Sequence, residues 1–292
     1  MTMETANHQP AAPRGDNARV SPGELPDLYN AYVLPDDAPA HFQQNGWVVL
    51  RGVASREEVA QYRPILANAV QRLNGERRPL EERDTYGKAF LQTINLWERD
   101  QTVRRWVMAR RFAKVAAELM GVSGTRLYHD QALYKEAGGG ITPWHQDQYY
   151  WPLDTQHSIT MWMPLVELTE ESGIMEFACG SHRDGFAGQL HISDDSEEEL
   201  SKRVSEKGYR IAGPRSMAPG DATFHSGWTL HRAPPNRTDR MREVMTIIYY
   251  ADGTRVGQPK NDSQAGDLRA FHPGVQPGEL AVSPLNPLLY PA

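Results

Sequence analysis

The chain reads as a mainly β protein, an antiparallel sandwich or barrel braced by helices, and three observations predict this. Short β-type runs at 126–135, 158–165, 174–178, 221–225 and 243–250 alternate with turn residues. Two stretches before residue 121 instead carry apolar residues at helical spacing. A possible ligand set, His145, Asp147 and His231, falls within the β half, where strands distant in sequence return as neighbours.

Residues 1–20 hold almost no large apolar side chains and read as a disordered tail, leaving 21–292 as one domain. Gly46 to Arg51 is the first strand. Ser55 and Glu58 have the spacing of a capping box, in which each residue satisfies the other's free amide. Val59, Tyr62, Ile65, Leu66, Ala69, Val70 and Leu73 then continue at helical spacing, and Gly75 is suited to end the helix. Pro64 inside it argues against a straight rod. A second helix is expected over 100–120, with Val103, Trp106, Val107, Phe112 and Leu119 on one side and Gly121 as its stop. Arg104-Arg105 and Arg110-Arg111 read as its solvated faces. The stretch 184–209, acidic at Asp194-Asp195 and Glu197 to Glu199, is either a surface insertion or a lid. The segment 252–292 is rich in Pro and Gly and reads as irregular, yet Leu288, Leu289 and Tyr290 predict that it packs on the domain.

Composition narrows the function classes. The net charge is −6, which gives no electrostatic case for nucleic acid or anionic membrane as partner. No apolar run nears the ~20 residues that span a bilayer. Cys179 is the single cysteine, which excludes an internal disulfide and a cysteine-based zinc cluster. With a polar N-terminus lacking an apolar signal core, a cytoplasmic protein is expected.

The chemistry concentrates at His145-Gln146-Asp147. On extended backbone, residues i and i+2 point the same way, so His145 and Asp147 can meet one metal. His231, 84 residues after Asp147, must come from another strand. Two histidines and one carboxylate on one face of an octahedron leave positions open for oxygen chemistry, the pattern of non-haem iron(II) sites. Arg242 follows His231 by 11 residues. A guanidinium can grip a carboxylate through two parallel charge-assisted bonds.

Trp144-His-Gln-Asp-Gln148, Trp162-Met-Pro-Leu165 and Gly180-Ser-His182 together resemble the phytanoyl-CoA dioxygenase family, as do Phe90 to Trp97 and His231 to Arg242. The resemblance covers roughly 40–285. It implies a double-stranded β-helix (jelly-roll, cupin-like) core and an iron(II) enzyme that uses dioxygen and 2-oxoglutarate. Such an enzyme hydroxylates an unactivated C–H bond and releases succinate and carbon dioxide. The implied metal ligands are His145, Asp147 and His231. The implied 2-oxoglutarate site is Arg242, with Trp162 lining it; Thr160 shares strand parity with Trp162 and can add a hydroxyl to the same carboxylate. Related halogenases replace the carboxylate of His-x-Asp by Ala or Gly, and Asp147 is intact, so hydroxylation is the default. Desaturation, epoxidation or cyclisation can follow at the same site. Some relatives place a serine two residues after the distal histidine; Ala233 stands there.

Several assignments have rivals. His225 competes with His231, and Arg240 with Arg242; the family's spacing favours the second of each pair. Phe90, Gln92, Trp97, Tyr149 and Tyr150 either pack the core or line a substrate pocket for a small or medium organic molecule. Gln131 and Lys135 share strand parity and either face that pocket or, for Lys135, reach along the surface to water. His129, His157 and His182 read as structural or supporting. A non-catalytic jelly-roll binding protein and a zinc hydrolase are the competing classes, and the sequence leaves the oligomeric state open.

Overall fold

The computed structural model describes residues 25–291; the expected N-terminal tail over 1–20 lies outside them. Two antiparallel sheets form a jelly roll. The larger runs in the order Trp47–Leu50, Ala222–Ser226, Ser158–Pro164, Val244–Ala251, Thr125–Tyr134, Leu288–Tyr290. Leu91–Ile94 also pairs with Thr125–Tyr134, so that long strand shares one edge between two partners. The smaller sheet runs Thr142–His145, His231–Ala233, Glu176–Ala178, Ile211–Ala212.

Alternation along the strands sets the two faces of the larger sheet. Ile159, Met161 and Met163 join Met245, Ile247 and Tyr249 on the outer face, against the N-terminal helices. Thr160 and Trp162, one residue out of step, face inward between the sheets. Helix Arg56–Leu73 starts with both bonds of the expected capping box, Glu58 N–H to Ser55 Oγ and Ser55 N–H to Glu58 Oε2. It buries Val59, Tyr62, Leu66, Ala69 and Val70 and runs through Pro64 without ending.

The structure corrects the helical reading in four places. Helix Arg56–Leu73 stops at Asn74 in extended conformation, before Gly75. The stretch 100–120 is two helices, Gln101–Val107 and Arg110–Met120, broken at Met108-Ala109. No Pro or Gly marks that break. Arg111 is not solvated: it is buried and makes a two-pronged ion pair with Glu58, at 2.7 and 2.9 Å, which locks the two helix layers together. The segment after 252 contains a helix, Asp262–Phe271, capped by the Asn261 side chain. As expected, it packs on the domain, ending in a strand on Thr125–Tyr134. No described helix is long and apolar enough to cross a membrane.

Candidate active site

Strand pairing builds the centre. His231 lies directly opposite His145 in the smaller sheet. The strand that carries His145 ends there, and Gln146 is still extended before a short turn begins at Asp147. His145 and Asp147 therefore point the same way, while Gln146 turns out and donates to the carbonyls of Gly185 and Trp228.

The ring nitrogens are sorted by backbone carbonyls. His145 Nδ1 lies 2.7 Å from the Pro143 carbonyl and His231 Nδ1 2.9 Å from that of Thr229. A carbonyl only accepts, so Nδ1 carries the proton in each ring and Nε2 presents a lone pair. Both Nε2 atoms lie 3.6 Å from Asp147 Oδ1. The ligand atoms of His145, Asp147 and His231 all fall within 4.8 Å of one another, a spacing that fits one metal ion. Burial, reinforced by the neighbouring imidazole, pushes His145 down to about 3 and His231 to about 4, so both are neutral at pH 7. Burial alone would raise Asp147, but His231, His225 and His145 outweigh it and hold the carboxyl well below the usual range.

The outer oxygen of Asp147 is held separately. Thr160 Oγ1 donates to Oδ2 at 2.8 Å, and His225 Nε2 lies 3.2 Å from the same atom. His225 thus supports the carboxylate from behind and is not one of the three clustered ligands. Thr160 lines the cavity with Trp162 and Arg242, and its hydroxyl turns to Asp147. Its one proton is spent on Asp147, and a 2-oxoglutarate carboxylate offers no donor in exchange.

Arg242 is 2 % exposed and lines the same cavity. Its Nη1 donates to the Gly173 carbonyl at 2.7 Å, and the guanidinium lies 5.4 Å from the Trp162 ring centre. Gly173 has φ +72°, and a Cβ there would sit 2.3 Å from the Pro234 carbonyl oxygen, so only glycine brings this carbonyl under the arginine. Nε of Arg242 is buried without a partner, and among the described residues no carboxylate pairs with the group. Burial pushes its pKa down to about 9, so it stays charged at neutral pH. A buried cation lacking an anion is costly unless a ligand supplies one. Its rival Arg240 is exposed beside Asp239.

The cavity, about 240 Å³, is walled in part by Phe90, Gln92, Gln131 and Tyr150, as the sequence suggested. Three expected residues are not in its wall. Trp97 packs in the helical core under Arg104, 4.7 Å from its ring centre. Tyr149 stacks edge-on against Tyr150, and its carbonyl accepts from Gln264. Lys135, just past its strand, is fully buried and donates to the Gly140 and Pro234 carbonyls and to Thr142 Oγ1. Parity gave its face, but the loop at 138–142 closes over the amine.

Residues the sequence reading missed also face the cavity: Tyr86, His129, Asp267 and Phe271. Asp267 and Phe271 sit on the unexpected C-terminal helix, whose signal was Asn261 three residues before Gln264, an N-cap pattern. Helix Asp194–Glu206, inside the acidic stretch, is pinned to the strand that carries His145. Its Glu197 accepts from the Trp144 amide at 2.9 Å and pairs with Arg232 at 3.2 Å.

Comparison with known proteins agrees with this geometry. The profile of the phytanoyl-CoA dioxygenase (PhyH) family matches residues 42–244. Methylphosphonate hydroxylase of Gimesia maris is 28% identical over 171 residues, 58% of this chain and 61% of that protein. The chain thus spans about three fifths of that relative's length. The 1-deoxypentalenic acid 11-beta-hydroxylase of Streptomyces arenae is 25% identical over 73% of this chain and 81% of its own. Among solved structures, the non-haem alpha-ketoglutarate-dependent epimerase SnoN from nogalamycin biosynthesis superposes with a TM-score of 0.69 at 26% identity, covering 87% of this chain and 97% of that one.

Proposed function

The chain belongs to the phytanoyl-CoA dioxygenase family, and from that premise we propose that it is an iron(II)- and 2-oxoglutarate-dependent oxygenase hydroxylating an unactivated C–H bond of a small or medium organic molecule. The observation that carries this is one cavity holding both a three-ligand cluster and a buried guanidinium without a carboxylate partner. His145 and His231 would hold iron through Nε2 and Asp147 through Oδ1. Bound iron supplies the oxygen activation, coupled to conversion of 2-oxoglutarate to succinate and carbon dioxide. Thr160 and His225 keep Asp147 aimed through its outer oxygen. Arg242 would take the far carboxylate of 2-oxoglutarate, with Trp162 over the guanidinium. The aromatic wall keeps water from the reacting bond.

The likeness to an epimerase favours one second reading, hydrogen abstraction without net hydroxylation, and product mass separates the two. A small-molecule partner, one domain over 21–292 and a cytoplasmic location complete the proposal.

Succinate release from 2-oxoglutarate tests it. The reaction should need both iron(II) and dioxygen and should vanish in His231→Ala. Iron-loaded wild type that binds no 2-oxoglutarate, or succinate that persists in His231→Ala, would overturn it.

A further inference from the structure

One end of the cavity carries chemistry that the metal centre does not use. Along strand Thr125–Tyr134, His129, Gln131 and Leu133 face inward in turn. Lys135, bridged to Arg242, lies six residues beyond His129, roughly 20 Å along extended chain. The His129 end is therefore remote from Arg242. There the C-terminal helix turns Asp267 and Phe271, four residues apart and so on one face, toward the cavity. The Phe271 ring centre is 4.5 Å from that of His129.

Asp267 accepts one bond, from the Tyr128 hydroxyl to Oδ2 at 2.9 Å. Among the described residues its Oδ1 has no donor, and no arginine or lysine pairs with it. Arg242 lies at the far end of the cavity, and Arg232 turns to the other face of its sheet, over Trp144 and beside Glu176 and Glu197. Burial raises the Asp267 carboxyl to about 7, as expected of an acid that lacks a cation. Trp151 and Phe271, with ring centres 5.4 and 5.3 Å from that of Tyr128, line this end of the cavity. Aromatic faces with one carboxylate and no competing cation attract an ammonium group by charge and by the ring quadrupole.

We propose that the substrate carries a protonated amine and that Asp267 receives it within this aromatic end of the cavity. Calling the ligand a substrate rests on the oxygenase reading; the amine site itself does not. Asp267 recognises and orients, and the reacting C–H bond lies elsewhere on the molecule, toward the iron ligands.

The test uses two probes of nearly one shape, cyclohexylmethylamine and cyclohexylmethanol. They are titrated at pH 8 into the full chain and followed by tryptophan fluorescence, since Trp151 and Trp162 line the cavity. Wild type should bind the amine at least ~10-fold tighter than the alcohol, the scale of a charge pair sheltered from water. Asp267→Asn, whose amide oxygen still accepts from Tyr128, should lose the preference, and Asp267→Glu should keep it. Equal affinities in wild type, no saturable amine binding, or a preference that survives Asp267→Asn would overturn the proposal. The titration needs neither iron nor 2-oxoglutarate. A failed succinate assay beside an intact amine preference would sink the oxygenase reading alone.

Discussion

Thr160→Val removes a hydroxyl at almost constant shape, at a residue 3 % exposed. That hydroxyl donates to Asp147 Oδ2 at 2.8 Å, so the variant strips one bond from the back of a carboxylate ligand. A hydrogen bond to a charged group contributes about 1.5–3 kcal/mol, or roughly a tenfold to hundredfold effect on the equilibrium it supports. His225 lies at the same oxygen, 3.2 Å away, and retains part of the restraint. The expected loss of metal affinity is therefore near the lower limit, about 10-fold. The assay is anaerobic titration with iron(II), with cobalt(II) as a spectroscopic substitute, followed by 2-oxoglutarate titration of metal-saturated protein. Weaker metal binding with 2-oxoglutarate affinity unchanged is the predicted result. The reverse, intact metal binding and weakened 2-oxoglutarate, would refute the reasoning and restore Thr160 to the cosubstrate carboxylate.

Two further variants probe the surroundings of Arg242. Gly173→Ala drives a Cβ against the Pro234 carbonyl at a positive φ; it should cost at least ~1–3 kcal/mol of stability and weaken 2-oxoglutarate more than metal, read by melting and by the same titrations. Lys135 is pushed down to about 6, first by burial and then by Arg242, against 10.5 for a free lysine. Between those values the unfolded chain binds more protons, so the lysine's contribution to stability grows as pH rises and is lost as pH falls toward 6. Wild-type urea stability should accordingly gain on Lys135→Met from pH 7 to pH 10; a constant difference would contradict this.

What the sequence made legible was whatever depended on short-range period or fixed spacing. Short β-type runs bounded by turn residues located most strands of the larger sheet, though not Leu91–Ile94 or Leu288–Tyr290, and the Ser55–Glu58 box located a helix start, because both signals are local. His145, Asp147 and His231 were readable because strand parity and a cross-strand partner suffice to bring them together. The role of Thr160 was not, since parity gives a face but not which of two neighbours a hydroxyl chooses. Lys135 illustrates the same limit: its face was predictable, and the loop that covers it was not. Trp97 took its core alternative because a short helix, its first amides capped by Asp130, turns the chain into the helical core. Asp267 was invisible for a different reason. Its helix is short and weakly amphipathic in a Pro- and Gly-rich stretch, and only tertiary packing on Tyr128 and His129 gives it a place in the cavity.

The central claim is that the three clustered ligands and Arg242 form one iron and 2-oxoglutarate site. Its most direct test is anaerobic addition of iron(II) and 2-oxoglutarate to the apo protein, with visible absorption recorded for wild type and Arg242→Ala side by side. The account predicts a charge-transfer band in wild type and a requirement for at least ~100-fold more 2-oxoglutarate in the variant, the scale of losing a two-pronged charge-assisted pair. Iron bound to wild type with no band at any 2-oxoglutarate concentration, or a variant that titrates like wild type, would contradict it.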